Sequence, residues 1–569
     1  MKKLYIALFL GTLSLSAQQE KDSISTQVIN VVTSYRPTIS DAFKANETPV
    51  ISIETNDKNS LKYTIKSKPI QSVFKPSTGG YKSAKTNYTK PKNPNYVKIG
   101  YGNYSTPLVE SFLYKQKKEH EAAFFLYNKS SAGGIKNVVL NDNYLNTNLG
   151  LNYKNTQKKQ SWQAGIKYKR GLYNWYGIPS QSISYDETVL NSIDEKQIYN
   201  HFILDGSIAL NEGILTRSEA ALETFSDKWD SNESKFYFSS SFKTPIKDDN
   251  LIIKANLDIL HGEFAQDYTN TAAINYGYLN IGATSSYPIQ KENFYISLGA
   301  KINYNADLEN KNGNFYIYPD IDIDYILIDE ILNLYGGFTG GIIQNSYRSI
   351  SLENPYVSPT LNIKPTSNTF RVFAGLKGKL TSTVSYTVNA SYSNDKDKLL
   401  FRSNKNLTDG TLSVSHGYQA GNSFYVLYDK VATIGLFGEL SANFLNSIDT
   451  GISLAVNSYS MNNEQEAWNL PPFLATAYGS YSIGKWATKA ELFVKGKRKD
   501  FLVDSSDNGT LVELKAYADL NISADYTFNR KWSAFIDLSN ILNNNYQVYS
   551  NFEVQGFQLM AGAIYSFDF

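Results

Sequence analysis

Residues 556–569 read GFQLMAGAIYSFDF, and the alternation within them decides the fold. Phe557, Leu559, Ala561, Ala563, Tyr565, Phe567 and Phe569 fall on one parity. Gly556, Gln558, Met560, Gly562, Ile564, Ser566 and Asp568 fall on the other. Successive side chains of a strand point to opposite faces, so such a run builds one apolar and one more polar face. Upstream, Leu514, Ala516, Ala518, Leu520, Ile522, Ala524, Tyr526 and Phe528 alternate with Glu513, Lys515, Tyr517, Asp519, Asn521, Ser523, Asp525 and Thr527. The same period of two recurs at 162–168, 251–259, 434–444 and 452–456.

These runs imply strands of about 12 to 15 residues, whereas globular strands usually have about 5 to 6. No composition shift divides the stretch 95–569 into domains, as a soluble sheet protein of that size would require. A transmembrane antiparallel β-barrel accounts for both features. Its apolar side chains face lipid, its polar ones face the lumen, and closure removes the exposed edges. Alternating stretches from Tyr96 to Phe569 predict roughly 22 strands, an even number as in bacterial barrels. The 43 tyrosines and 6 tryptophans suit two interfacial girdles. Longer connections are expected at 174–195, 344–366, 404–421, 462–472 and 499–510, facing outward and available for binding.

Composition narrows the function. The chain has 569 residues, 55 Lys plus Arg against 53 Asp plus Glu, and no cysteine. A net charge of +2 gives no basic surface for nucleic acid. Without cysteine there are no disulfides, thiol nucleophiles, thiolate zinc sites, iron–sulfur clusters or cysteine-linked lipid. Mean hydropathy of −0.36 is too polar for a bundle of membrane helices.

The chain opens with Lys2 and Lys3, then an apolar stretch from Leu4 to Leu13 and small residues up to Ala17. That order predicts a secretory signal over 1–17. An apolar core of about 10 residues is too short for a membrane span, which needs ~20. Residues 18–94 follow as a basic, irregular segment. Between Asp57 and Lys92 stand nine lysines and one acidic residue, with Pro69, Pro76, Pro91 and the pair Gly79-Gly80. Such a segment either tethers in the periplasm or enters the lumen to meet inward carboxylates. The barrel, 95–569, is correspondingly acidic.

Catalytic machinery is not legible. The four histidines, His120, His201, His261 and His416, form no HExxH, and none precedes a serine by two residues as a membrane phospholipase would require. Residues 375–382 (GLKGKLTS) only superficially suggest a phosphate loop: Phe373 stands at the first glycine position and Leu380 at the Ser/Thr position. Asp320, Asp322 and Asp324 are the candidate lumen carboxylates, sharing one strand face about 7 Å apart. Asp519, Asp525 and Asp568 are expected to face inward elsewhere. No enzyme activity, cofactor or metal is expected.

Several short motifs carry a resemblance. Tyr517 to Phe569 resembles the last three strands of TonB-dependent receptors, with Asn540-Ile541-Leu542 at the Asn-Leu-Phe-like turn and Tyr546 after it. Tyr565, Phe567 and Phe569 resemble the C-terminal insertion signal of outer-membrane barrels. Residues 98–108 (KIGYGNYSTPL) look like the first hairpin of a TonB-receptor-like group in Bacteroidota. Residues 28–37 (VINVVTSYRP) are similar to the TonB-box region, with Val28, Ile29, Val31 and Val32 as box-like positions. The departures weigh as much. About 60 residues separate Pro37 from Tyr96 where the family carries a plug of well over a hundred, and Gln555-Gly556-Phe557 replaces the glycine–arginine pair before the last strand. The resemblance therefore implies a plugless TonB-receptor-like barrel in the Gram-negative outer membrane, with a periplasmic N-terminus.

An empty barrel of this size would leak, so the basic segment, folded-in loops or a partner must fill it. The reading is a non-enzymatic barrel subunit of a larger outer-membrane complex in assembly, export or uptake. The alternative is a TonB-linked or passive transporter of a small solute. Expected partners are outer-membrane lipid and lipopolysaccharide, the barrel-assembly machinery, and other outer-membrane proteins or lipoproteins. TonB joins them in the transporter reading, and nucleic acid is not expected.

Overall fold

The computed structural model describes residues 95–569 except 247–248, 270, 445–446 and 569. The N-terminal segment and the box-like Val28, Ile29, Val31 and Val32 lie outside the described residues, as does Phe569. Twenty-two strands form one sheet, each hydrogen-bonded to the next in antiparallel fashion. They run from Asn95–Gly102 to Gln558–Phe567, and these two strands pair with each other from Asn95↔Phe567 to Gly102↔Met560. The sheet is thus a closed barrel, as the alternation predicts.

Strand length varies from 8 residues at Asn95–Gly102 to 21 at Phe424–Phe444. The outward parity carries exposed Leu149, Leu151, Ile166, Leu204, Ile434, Leu436 and Ile452. Beside the short turns stand exposed Trp162, Trp486, Phe528 and Trp532, the aromatic edge expected of a membrane interface. At the closing seam Gly562 faces Gly100. A Cβ on Gly562 would come within 2.0 Å of the Ile99 carbonyl and 2.6 Å of the Phe535 ring, so only glycine lets the first and last strands meet.

The two ends of the barrel differ. Connections at one end, such as 118–119, 157–159 and 484–485, span two to four residues. Gly484, at φ +57°, makes one of these tight turns. At the other end the connections reach 22 residues at 344–365. The expected loops at 174–195, 344–366 and 462–472 fall where predicted, and that at 404–421 continues to Ser423.

The expected connection at 499–510 lies within a longer one, 496–516, where Arg498–Val503 pairs with Gly509–Leu514 as a hairpin. Leu514 thereby belongs to that hairpin, and the following barrel strand begins at Tyr517. Asn540-Ile541-Leu542 forms the expected turn, closed by the Asn543 amide donating to the Asn540 carbonyl at 2.9 Å, and opens a connection that runs to Phe557. Asn540 supports that connection, donating to the Asn544 and Gln555 carbonyls at 3.0 and 2.9 Å.

Candidate functional site

The inner wall is polar, and its charges pair between strands that are adjacent or next but one. Lys167 meets Asp205 at 2.7 Å, Lys235 meets Asp258 at 3.0 Å, and Lys98 meets Asp537 at 3.4 Å. The three predicted carboxylates lie on this face of the strand Asn312–Ile328. Lys301 on the preceding strand binds Asp320 at 2.8 Å, and Lys377, two strands on, binds Asp324. Asp322 sits between them opposite Gly337. Lysines on two strands thus engage the outer two carboxylates, which gives a charge ladder, not a cation cage. Among the described residues no group of three His, Asp or Glu could hold a metal ion. Asp519 is buried and accepts from the Tyr546 hydroxyl at 2.6 Å, whereas Asp568 lies just beyond the last strand and is exposed. Tyr565 packs on Trp532, with ring centroids 4.8 Å apart.

The loop end is built differently. Four connections turn inward and join side chains from the wall in one aromatic cluster across the lumen. From 175–195 come Trp175 and Tyr176, both essentially inaccessible. The Trp175 indole donates to the Tyr356 carbonyl at 3.1 Å, and the Tyr176 hydroxyl donates to the Glu553 carbonyl at 2.7 Å. From 540–557 comes Phe552, stacked on Tyr356 with centroids 3.9 Å apart. Gly177 leaves room for that ring: a Cβ there would lie 2.5 Å from it. From 404–423 comes Tyr418, edge-on to Trp175 at 5.3 Å, while the neighbouring Asn422 amide donates to the Trp175 carbonyl at 2.6 Å. Each fully buried aromatic contributes on the order of 2–3 kcal/mol from apolar burial.

Polar groups fix these loops. Arg498, nearly inaccessible, donates to the carbonyls of Gln547 and Val548. Asp500 accepts from the hydroxyls of Ser403 and Ser550, each at 2.7 Å, and so ties two connections to the end of the strand Val384–Ser403.

The central connection, 344–365, carries the helix Tyr347–Glu353. Ser346 caps it, exchanging bonds with Ser349 in a capping box. The helix N-terminus docks on the buried Glu233 carboxylate, which accepts from the Tyr347 amide at 2.6 Å and the Arg348 amide at 3.1 Å. An acidic side chain is favourable there, where amide hydrogens are otherwise unpaired. The Tyr347 hydroxyl reaches Asp227 at 2.7 Å. Burial raises the Asp227 carboxyl above the usual carboxylate range, against the hydrogen bonds from Tyr347, Ser231, Trp229 and Gln197 that lower it.

Beside this septum lies a cavity of about 260 Å³ lined by Asn275, Asp307, Asn312, Asn314, Tyr316 and Asp397, among others. Its walls carry amides, carboxylates, three phenols and Lys364 among a few aliphatic side chains, a mix suited to a small polar molecule. The sequence points to folded-in loops as one filler of the lumen, but not to the residues that build the septum. The signal for those is the placement of Trp175, Tyr176, Tyr356, Tyr418 and Phe552 in long connections, where polar residues are expected.

No family model matches this chain, and no curated protein does. Solved structures do. The chain is similar to P. aeruginosa FpvA bound to pyoverdine, with a TM-score of 0.61 at 10% identity, covering 83% of this chain and 71% of that one. It is also similar to the FrpB iron transporter of Neisseria meningitidis, with a TM-score of 0.61 at 8% identity, covering 84% and 82%. The siderophore receptor PirA of Acinetobacter baumannii gives a TM-score of 0.61 at 11% identity, covering 84% and 81%. At such identities the likeness concerns the fold. The chain has the barrel fold of outer-membrane receptors and transporters.

Proposed function

We propose that this chain is a TonB-receptor-like barrel of the outer membrane that acts as a non-enzymatic subunit of a larger outer-membrane complex. In this reading the long connections face outward, and the N-terminus and the short turns face the periplasm. The observation that carries it is the septum. The connections that a lone receptor would offer to ligand from outside are spent on an aromatic core across its own lumen. Residues 57–92, with nine lysines and one acidic residue, enter the lumen from the other end and meet wall carboxylates such as Asp322 and Asp525. A barrel so filled serves as a membrane-embedded scaffold for assembly, export or uptake by its partners. Insertion uses the barrel-assembly machinery, with Tyr565, Phe567 and Phe569 as its signal, and the outer face contacts lipid and lipopolysaccharide.

Affinity purification in mild detergent with mass spectrometry tests this. Stoichiometric co-purification of outer-membrane proteins or lipoproteins is expected, and a barrel that purifies alone counts against it.

The polar cavity beside the septum favours a second reading, a TonB-linked or passive transporter of a small solute. In that case replacing Val31 and Val32 by proline abolishes an uptake phenotype, whereas a subunit role leaves the complex intact.

A further inference from the structure

The helix-bearing connection 344–365 touches the wall through a contact that only one protonation state allows. The Arg348 Nε donates to His201 Nδ1 at 2.8 Å, and His201 Nε2 lies 2.8 Å from Glu223 Oε2. A guanidinium has donors and no acceptor, so Nδ1 must be the acceptor. The imidazole is therefore neutral, with its proton on Nε2 donated to Glu223. A second proton would set an N–H against the guanidinium N–H, two cations at hydrogen-bond distance. His201 is 5% exposed and edge-on to Phe225, so the ring has little room to turn away.

We infer that His201 and Arg348 form an acid-released latch: protonation of His201 frees the connection 344–365 from the wall and opens the septum at the loop end. The charged groups around the ring set the direction. Glu223, with Lys235 opposite it on the next strand, faces one side of the ring; Arg348 and, on the preceding strand, Lys169 face it from the others. Glu223 can hold the charged ring, but Arg348 cannot stay with it. The remaining anchors of the connection run through hydroxyls and amides. The Tyr199 hydroxyl donates to the Pro355 carbonyl at 3.0 Å, and the Tyr278 hydroxyl donates to the Ile363 carbonyl at 3.0 Å. Those groups do not titrate near neutrality. Asp227 acts with the opposite sign: its raised carboxyl takes up a proton more readily with the connection docked, so acid acting there would tighten the septum. Glu233 is the other titratable anchor, and a histidine variant separates it from His201.

The absence of cysteine makes a clean reporter possible. Ser358→Cys places a thiol at a position 0% exposed, and Ser506→Cys gives an exposed control in a second sample. Maleimide labelling of the full chain in detergent is followed as the ratio of the two rates. That ratio is expected to rise about tenfold between about pH 7.5 and about pH 5, and to stay low at both in His201→Gln. Glutamine keeps an acceptor for Arg348 and a donor for Glu223. A ratio independent of pH overturns the latch, as does one that falls in acid or an acid response that survives His201→Gln. Should Ser358→Cys not fold, amide exchange over 347–357 of the unaltered chain and of His201→Gln, corrected for intrinsic pH dependence, gives the same decision.

Discussion

The wall and the loop-end septum use the same residue types in opposite ways. In the wall, tyrosine, leucine and isoleucine of one parity point outward, while lysines and carboxylates of the other parity pair inward, as Lys301 does with Asp320. In the septum, the aromatics point inward and the charged groups, Asp500 and Arg498, tie loops to one another. The wall is held by a backbone ladder that closes on itself. Side-chain packing holds the septum, on connections whose own ladders are short: Arg498–Val503 with Gly509–Leu514, and Gln547–Tyr549 with Phe552–Glu553. The difference teaches that the wall can persist without the septum, so changes in the two regions should separate.

The largest effect belongs to the seam. Gly562→Val places atoms where the Ile99 carbonyl and the Phe535 ring already lie. It is expected to abolish the closed barrel, read as loss of the heat-modifiable band on a gel. Next comes Phe552→Ala, which removes the ring stacked on Tyr356 and edge-on to Tyr176. It should destabilise the septum by about 3–5 kcal/mol while the barrel stays folded. Amide exchange should rise in 540–557 and 344–365 but not in the strands; equal loss in both regions would merge the two stabilities. Glu233→Gln, isosteric but weaker as an acceptor for two amides, should cost the docked helix about 1–3 kcal/mol, seen as exchange confined to 347–353. In the wall, Lys377→Met leaves Asp324 without its lysine and is expected to cost about 1–2 kcal/mol, much of it restored by adding Asp324→Leu. The smallest effect is at the turn end. Lys159 and Glu212 form an exposed pair at 3.2 Å, and Lys159→Ala should leave the unfolding midpoint unchanged.

The wall was legible in the sequence because its constraint is local. A period of two places Ile434, Leu436 and Leu440 on one face whatever the rest of the chain does. The face shared by Asp320, Asp322 and Asp324 followed from the same rule, and their lysine partners needed only the next strands. The septum was hidden because its constraint is between loops. Trp175 meets Tyr356 and Tyr418, and Arg498 meets Gln547 and Val548, over separations that no period encodes. Nothing near His201 in sequence announces Arg348.

Single-channel conductance of the purified chain tests the central claim most directly. The account predicts that the intact barrel conducts little. Deleting 57–92 together with replacing 344–365 by a short turn should raise conductance far more than either change alone. An intact chain that already conducts like an open pore of its size, unchanged by either deletion, would contradict it.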